Sequence, residues 1–436
     1  MNSMPNEEML YDYQRAMARR HLALLLKRSI TCDRSETGIG KTIAILRGLW
    51  LLLQEIPQLK FLAICPKSVR SHWRLWVDAF GLGGACRGVF GWEEMKLGLC
   101  PHLYDRRRWL FPKSVIIFDE AHRAKSHKSL NARMVKAARM QGHYVALLSA
   151  TLIQSPLDLS GLSFPLGLVA HPKYWFRFAQ QFGAGLNRWR GYDDFSTPAQ
   201  REALHALLDK VSVRVRKAEV TPSMCISQVD LLDSSAFLAI RSAYAEMERE
   251  IAQLEAKQAA AVQMITARLR ARQRIELLKV SLFCDLAGEH LEEGSKVILF
   301  FNFTQSISAA ERIFAEMGIA TGRITGDISQ LERDLAVAGF NGEALGVLLC
   351  NIAAGGEGLS LGDSTGNKAR VSLLSPPESA TVLVQALGRI DRITNRSVGL
   401  NRLIFVAGTI EEKVYRNVAR KIKNIAEIND GDLVAR

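Results

Sequence analysis

Short apolar runs alternate with helical patterns along most of this chain. Each run has the five or six residues of a buried strand, and a longer stretch with helical character separates it from the next. This alternation is typical of parallel sheets with crossover helices. The runs form two series, at 60–65, 114–118 and 144–149, and then at 296–301, 346–350, 370–374 and 402–406. The pattern therefore predicts an α/β fold with two tandem parallel sheets.

Between the two series, from about residue 157 to 291, strand signals almost disappear. Residues 236–286 are rich in Ala, Glu, Lys, Arg and Gln, which favour helices. A chain of 436 residues is also too long for one ordinary core. We therefore predict a first lobe over residues 1–160, a mostly helical insertion and inter-lobe link over 161–290, and a second lobe over 291–436.

Net charge and composition predict a class of binding partner and a cellular location for this protein. The net charge of +13 predicts a polyanionic partner, most simply nucleic acid. No apolar stretch is long enough to cross a bilayer, and the first residues lack the blocks of a signal peptide. We expect an intracellular protein without a membrane partner, in the cytoplasm or nucleoid if its source is a bacterium or a phage. The seven scattered cysteines predict reduced thiols, and the spacing of Cys86, Cys100 and His102 is poor for zinc.

A glycine-rich segment at residues 35–42, SETGIGKT, lies between a short predicted strand and an apolar helix. Its glycines let the backbone fold around phosphate oxygens, and the helix N-terminus adds positive potential. We predict that Lys41 reaches the β- and γ-phosphates of ATP and that Thr42 ligates Mg²⁺. The predicted phosphate-binding residues are Thr37, Gly38, Gly40, Lys41 and Thr42.

The acidic pair Asp119 and Glu120 follows the second buried run directly. Ligands bind at the carboxyl ends of strands in open parallel sheets. Asp119 is therefore predicted to hold Mg²⁺, and Glu120 to orient and deprotonate the attacking water. The alternative, two solvated carboxylates at a strand end, requires their pairing with the glycine-rich segment to be a coincidence.

A second cluster of polar residues follows a helical run late in the chain. Gln385, Arg389 and Arg392 lie within the segment QALGRIDR. Arginines on one lobe can close on a triphosphate held by the other and neutralise developing charge. We predict that role for Arg389 and Arg392, with Gln385 beside them in the catalytic set; the alternative is a pair of surface or salt-bridging arginines.

The order of these motifs resembles that of the superfamily 2 helicase-type ATPases, and more narrowly that of the Swi/Snf-type DNA translocases. The resemblance covers nearly the whole chain and implies two RecA-like lobes. It implies that Gln14 selects adenine, that Gly358 helps bind the nucleotide, and that residues 215–220 belong to the passage between lobes. It further implies residues that couple hydrolysis to lobe movement, namely His122, Ser149 and Thr151. The nucleic-acid contacts that it implies are Lys67, Ser68, Thr325, Gly326, Gly355 and Gly356.

One triplet departs from the Swi/Snf pattern, because Ser149-Ala150-Thr151 is commoner in strand-separating helicases. Three functions stay open. The first is an ATP-driven motor that translocates on double-stranded DNA and remodels DNA or DNA-bound protein, directed by a separate targeting protein. The second is a helicase that separates DNA or RNA strands. The third is a partner-regulated, ATP-gated nucleic-acid clamp.

Two further segments have alternative interpretations. Basic residues follow Glu120 closely, and they form either a solvated face or nucleic-acid contacts. The aromatic residues 174–178 are expected in the core rather than in a base-stacking platform. The basic residues are Arg123, Lys125, Lys128, Arg133, Lys136 and Arg139.

Overall fold

A computed structural model of the chain describes residues 5–187, 191–220, 225–232, 238–256, 261–355 and 359–430. The chain divides into two compact units. The first comprises Met1–Pro222 together with Lys421–Arg436, and the second comprises Ser223–Arg420. Within the described ranges, no helix has the length and apolar character needed to cross a membrane.

The first unit is built on a five-stranded parallel sheet with the order β1-β5-β4-β2-β3. Its strands are β1 (Ile30–Asp33), β2 (Phe61–Cys65), β3 (Cys86–Gly91), β4 (Val115–Asp119) and β5 (Tyr144–Leu148). A small antiparallel hairpin contains β6 (Ala184–Leu186) and β7 (Tyr192–Asp194). The helices are α1 (Asp12–Arg28), α2 (Lys41–Glu55), α3 (Arg70–Ala79), α4 (Trp92–Leu97), α5 (Leu130–Met140), α6 (Leu159–Leu162), α7 (Trp175–Gln180), α8 (Pro198–Asp209) and α9 (Lys217–Val220).

The central strands of this sheet are apolar on both faces because helices cover both. Successive side chains of a strand point to opposite faces. Accordingly, Ile116 and Phe118 of β4 belong to one buried cluster, and Val115 and Ile117 belong to another. The apolar runs of the sequence are therefore strands with two buried faces, which places the polar end of β4, Asp119, at the carboxyl edge of the sheet.

The second unit contains a six-stranded parallel sheet with the order β10-β11-β9-β12-β13-β8. Its strands are β8 (Cys225–Leu232), β9 (Lys296–Phe301), β10 (Thr321–Ile324), β11 (Val347–Asn351), β12 (Arg370–Leu374) and β13 (Gly399–Val406). The helices are α10 (Leu238–Ala256), α11 (Ala261–Leu278), α12 (Val280–Glu292), α13 (Thr304–Glu316), α14 (Gln330–Asn341), α15 (Ile352–Gly355), α16 (Ala380–Leu387) and α17 (Ile410–Asp430).

The predicted fold class is confirmed: two parallel sheets, each flanked by helices, form tandem RecA-like lobes. The segment between the two series of apolar runs is mainly helical where it is described. It also contains β8, which pairs in parallel with β13 at the edge of the second sheet. Arg402 Nε donates to Asp230 Oδ2 at 2.8 Å across these two strands. The three-part division of the chain stays a prediction.

Candidate active site

The glycine-rich segment forms a loop between β1 and α2, and two glycines in it have left-handed backbone angles. Gly38 has φ 85° and Gly40 has φ 92°, a region that side chains other than glycine rarely adopt. A Cβ on Gly40 would also lie 2.3 Å from Nε2 of Gln14. Gly40 is therefore required by its own conformation, and a side chain there would also displace the amide group of Gln14.

Lys41, the first residue of α2, turns back across this loop. Its Nζ donates to the carbonyl oxygens of Ser35 at 2.8 Å and Glu36 at 2.9 Å. Burial lowers the pKa of Lys41, and the carboxylates of Asp33 and Glu120 act in the opposite direction. The loop thus holds one cation whose charge nearby carboxylates partly balance. Thr37 lies half-buried in the loop, and half-buried Thr42 follows Lys41 in the first turn of α2.

Asp119 ends β4 between two tryptophans. Its Oδ2 accepts from Nε1 of Trp73 at 2.9 Å, and its carbonyl oxygen accepts from Nε1 of Trp92 at 2.8 Å. Burial, and then the charge of Glu120, raises the pKa of Asp119 to about 6. A carboxylate that is this costly to ionise gains from a nearby cation. Its oxygens and the Thr42 hydroxyl are hard ligands of the kind that Mg²⁺ takes, so these residues fit the ion.

Glu120 has φ 52°, a left-handed conformation unusual for a residue with a side chain. Its Oε2 lies 3.2 Å from Nδ1 of His122 and 3.5 Å from Oγ of Ser149. The same His122 nitrogen lies 3.0 Å from Ser149 Oγ, which also accepts from the N–H of Thr151 at 3.3 Å. The structure therefore joins the predicted general base to all three predicted coupling residues in one polar network.

Gln14 lies near the start of α1 and is buried against the loop. Its Nε2 donates to the carbonyl oxygen of Ile39 at 3.1 Å, and its Oε1 accepts from the N–H of Tyr11 at 3.2 Å. The hydroxyl of Tyr13 donates to the same Ile39 oxygen at 3.0 Å. The predicted adenine-selecting residue therefore contacts the phosphate-binding loop directly.

Sequence reasoning missed a buried pair beneath this loop. Asp33 Oδ1 accepts from the N–H of Ser35 at 2.8 Å, and its Oδ2 lies 3.2 Å from Nε2 of His21. The other ring nitrogen of His21 lies 2.8 Å from Oγ1 of Thr31. Burial by itself would raise the pKa of Asp33, but His21 and Lys41 lower it below its ordinary value. A carboxylate at the end of the short strand Ile30–Asp33, directly before the glycine-rich segment, was the signal that could have shown it.

The stretch before α9 also contacts the loop. Val213 donates its N–H to the carbonyl of Cys32 at 2.7 Å, and Val215 donates its N–H to Oγ of Ser35 at 3.0 Å. Lys217 N–H donates to Oε2 of Glu36 at 2.8 Å. This stretch therefore continues the sheet beyond β1 and holds the entry to the phosphate-binding loop.

In the second unit, the predicted catalytic residues cluster around one carbonyl. Arg389 Nε donates to the carbonyl of Gln385 at 2.9 Å, and its NH1 donates to that of Leu359 at 3.0 Å. Arg392 NH2 donates to the same Leu359 oxygen. Gln385 and Arg389 are buried. Arg389 is therefore not a surface arginine, and its catalytic role stays a prediction.

The predicted nucleic-acid contacts lie on short loops and helix ends. Lys67 is exposed in a 3₁₀ turn directly after β2, and the hydroxyl of Ser68 is buried there without a described partner. Thr325 is buried, whereas a Cβ on Gly326 would meet open space. Gly355 ends α15. Gly356 and Gly358 lie outside the described residues.

Comparison with known proteins identifies the family. A model of the helicase conserved C-terminal domain matches residues 278–394. A protein of Acanthamoeba polyphaga mimivirus, provisionally named an ATP-dependent RNA helicase, is 27% identical over 97% of this chain and 84% of its own length. The chain is thus similar to superfamily 2 helicases over nearly its whole length, and residues 278–394 match the helicase C-terminal domain. As a helicase-family ATPase, it also has distant similarity to chromatin remodellers of the Swi/Snf and chromodomain type.

One such remodeller is the chromodomain-helicase-DNA-binding protein 1-like of Mus musculus. It is 26% identical over 89% of this helicase-family chain, which spans only 46% of the murine protein. Two solved structures are also similar. Saccharomyces cerevisiae Dbp5 bound to RNA and ADP BeF3 has a TM-score of 0.55 at 12% identity, over 94% of this chain and 87% of Dbp5. The Sulfolobus solfataricus SWI2/SNF2 ATPase core in complex with dsDNA has a TM-score of 0.40 at 18% identity, over 97% and 94%.

Proposed function

We propose that this ATPase uses ATP hydrolysis to translocate on double-stranded DNA and to remodel DNA or proteins bound to it. The observation that carries the proposal is the polar network from Glu120 through His122 to Ser149 and Thr151. Through this network, a change in the position or charge of the Glu120 carboxylate can affect the segment directly after β5. The motif order and the similarity to chromodomain-type relatives favour duplex DNA as the track, and a separate targeting protein supplies direction.

The first unit supplies ATP binding and the hydrolytic base in this proposal. Lys41 leaves the loop carbonyls to contact the β- and γ-phosphates, while Gln14 selects the base. Thr42 and Asp119 would hold Mg²⁺, which neutralises phosphate charge when bound. Glu120 orients and deprotonates the attacking water, and its contact with His122 fixes the carboxylate.

Arg389 and Arg392 of the second unit stabilise the charge that develops on the transferred phosphoryl group, with Gln385 positioning Arg389. Their Leu359 hydrogen bonds hold the two guanidinium groups side by side. Gly358 is assigned to nucleotide binding on the resemblance. These arginines act only on a bound triphosphate, so their loss should affect turnover more than ATP affinity.

Contacts with the nucleic-acid backbone come from both units in this proposal. Backbone contacts carry no sequence information and depend strongly on salt. Binding should therefore tolerate any sequence and weaken steeply as salt rises. The residues assigned to it are Lys67, Ser68, Thr325, Gly326, Gly355 and Gly356.

A strand-separating helicase is the second candidate. Two observations favour it: the triplet Ser149-Ala150-Thr151, and the RNA-helicase name of the mimivirus relative. A strand-displacement assay distinguishes this candidate from the first one.

Steady-state ATPase rates test the proposal, measured at one low salt concentration with no nucleic acid, single-stranded DNA, duplex DNA or duplex RNA. Strong stimulation by duplex DNA alone is the expected result. Stimulation by single strands or by RNA would instead support the helicase, and no stimulation by any of them would overturn both candidates. Lys41→Ala is the control for contaminating ATPases, because it should abolish the rate in every condition.

A further inference from the structure

A cavity lies in the first unit, between α5, α6 and α7. Its volume is about 320 Å³, which falls in the range of small-molecule pockets. Arg133 and Lys136 of α5 form one side, and Lys173 and Trp175 form another. Neither the phosphate-binding loop nor Asp119 lines this cavity, so it requires its own explanation.

The charges around this cavity have one sign. Arg133, Lys136 and Lys173 line it and are exposed, and none of them forms an ion pair with a described residue. Arg133 and Lys136 are three residues apart on α5 and therefore lie on neighbouring positions of one helix face. No carboxylate is present among the described residues that line the cavity. Such a cluster attracts an anion, and a phosphate matches both arginine and lysine.

The cavity also has an aromatic wall. The ring centroids of His127 and Trp175 lie 5.2 Å apart with their planes at 30°, and Phe164 lines the same cavity. His127 is exposed, whereas Trp175 is buried. Burial and the charge of Lys128 lower the pKa of His127. A planar ring that enters the cavity can pack against these two tilted rings.

The wall of the cavity packs tightly on the segment that follows Glu120. The N–H of Gly161 donates to the carbonyl of Lys125 at 2.9 Å, and the hydroxyl of Ser160 donates to the same oxygen at 3.0 Å. A Cβ on Gly161 would lie only 2.0 Å from the carbonyl oxygen of Ala124. A ligand in the cavity would therefore contact a wall that packs against Lys125, five residues after Glu120.

We infer that this cavity binds an unpaired nucleotide, its phosphate on Arg133, Lys136 and Lys173 and its base against the ring pair of His127 and Trp175. A phosphate joined to a planar base is the chemistry that this combination of cations and rings recognises. The inference rests on the proposed function, because it adds a single-strand contact to a nucleic-acid motor. A free mononucleotide and a nucleotide within a strand offer the same groups.

The test compares two double variants that each lose two positive charges. Arg133→Ala/Lys136→Ala removes two of the three predicted phosphate contacts, and Arg19→Ala/Lys27→Ala removes exposed cations of α1 that have no described partner. A fluorescein-labelled oligo(dT) of about twelve nucleotides is titrated at several salt concentrations. The first variant should lose about tenfold in affinity at low salt, and the slope of log K against log salt should fall by about 0.7, the value for one phosphate contact. The control should bind as the wild type does.

The base contact is tested at His127. His127→Ala should weaken oligo(dT) binding several-fold, and His127→Phe should restore it because the ring is kept. Melting temperatures verify that all variants are folded. If thymidine monophosphate competes with the labelled strand in the wild type, the ligand is a free nucleotide; if it does not, the ligand is a strand.

Equal binding by Arg133→Ala/Lys136→Ala and by the control pair would overturn the inference. The same preparations are assayed for ATPase activity with duplex DNA. If duplex DNA stimulates the ATPase of the wild type but Arg133→Ala/Lys136→Ala leaves oligo(dT) binding unchanged, the cavity is not a nucleotide site and the proposed function stands. An ATPase that no nucleic acid stimulates would instead remove the proposed function.

Discussion

The two units both hold buried cations against backbone carbonyls, but they differ in how the charge is balanced. In the first unit, Lys41 donates to two loop carbonyls and lies among the carboxylates of Asp33, Asp119 and Glu120. Those carboxylates compensate much of the cost of burying the ammonium group. This site can therefore exist in a stable form before a nucleotide arrives.

In the second unit, two guanidinium groups share the carbonyl oxygen of Leu359. Burial and the neighbouring Arg389 lower the pKa of Arg392, and Asp391 offsets this only in part. Two adjacent buried cations gain more from an incoming anion than a cation that carboxylates already surround. This difference supports the proposal that the first unit holds the nucleotide and that the arginines of the second respond to its charge.

The largest expected effect comes from removing the two arginines of the second unit. Arg389→Ala and Arg392→Ala should each lower kcat by about 10³-fold or more, because charge developing on the phosphoryl group loses its partner. ATP affinity should change far less. Single-turnover hydrolysis and fluorescent-nucleotide binding measure the two quantities. Arg396→Ala, at an exposed arginine nearby in sequence, is the control. A raised KM with unchanged kcat would contradict the role in turnover.

In the first unit, Glu120→Gln removes a charge while keeping the shape of the side chain. We expect a loss in kcat of about 10²- to 10⁴-fold, because the amide cannot accept a proton from water. ATP binding should persist, since Lys41 and the loop are unchanged. Rapid-quench hydrolysis and nucleotide binding provide the measurements. A variant that turns over ATP at the wild-type rate would remove Glu120 from the role of general base.

Local features of this fold could be predicted from the sequence, whereas the contacts that support the site could not. The strand that ends at Asp119 and the loop before Lys41 both show in short windows, since apolar runs and glycines have direct structural consequences. His21 and Asp33 are twelve residues apart on different elements. The contact of Val215 with Ser35 spans 180 residues, a distance at which no local pattern indicates pairing.

The arginines of the second unit show the same limit. Their motif was visible in the sequence, but their burial and their shared carbonyl were not. Leu359 lies 30 residues before Arg389, with β12 and α16 between them, so no local pattern indicates this contact. From the sequence, the alternative was that Arg389 and Arg392 lie at the surface or form salt bridges, because arginine is seldom buried without a charged partner.

A smaller effect is expected on stability, and it tests how much the buried carboxylate of Asp33 contributes to the free energy of unfolding. Asp33→Ala should lower the free energy of unfolding by about 3 kcal/mol, because it removes the buried carboxylate that contacts His21 and one of the three carboxylates that offset the charge of Lys41. Asp33→Asn should cost less, and Asp12→Ala, at an exposed residue, should cost nothing measurable. Thermal and urea unfolding measure the series.

The pH dependence of the same series has a definite sign. The pKa of Asp33 in the folded protein is lowered from its ordinary value of 3.8. Its contribution is therefore fully present above that value and is lost as pH falls through the lower, folded-state pKa. The wild type and Asp33→Ala should converge in stability under strongly acid conditions. A difference that stays constant at every pH would show that packing, rather than charge, explains the loss.

The smallest expected effect concerns a neutral contact of the first unit. Gln14 is held by Ile39 and Tyr11 through hydrogen bonds alone. Its exchange should therefore alter base selection rather than phosphate binding. Gln14→Ala should reduce the preference for ATP over GTP, measured as the ratio of kcat/KM values, by about 2- to 12-fold, as expected for one hydrogen bond. Gln54→Ala, at an exposed glutamine of α2, controls for the substitution itself. An equal loss with ATP and GTP would mean that Gln14 supports the loop around Gly40 and does not read the base, so that the first unit would recognise its nucleotide by charge alone.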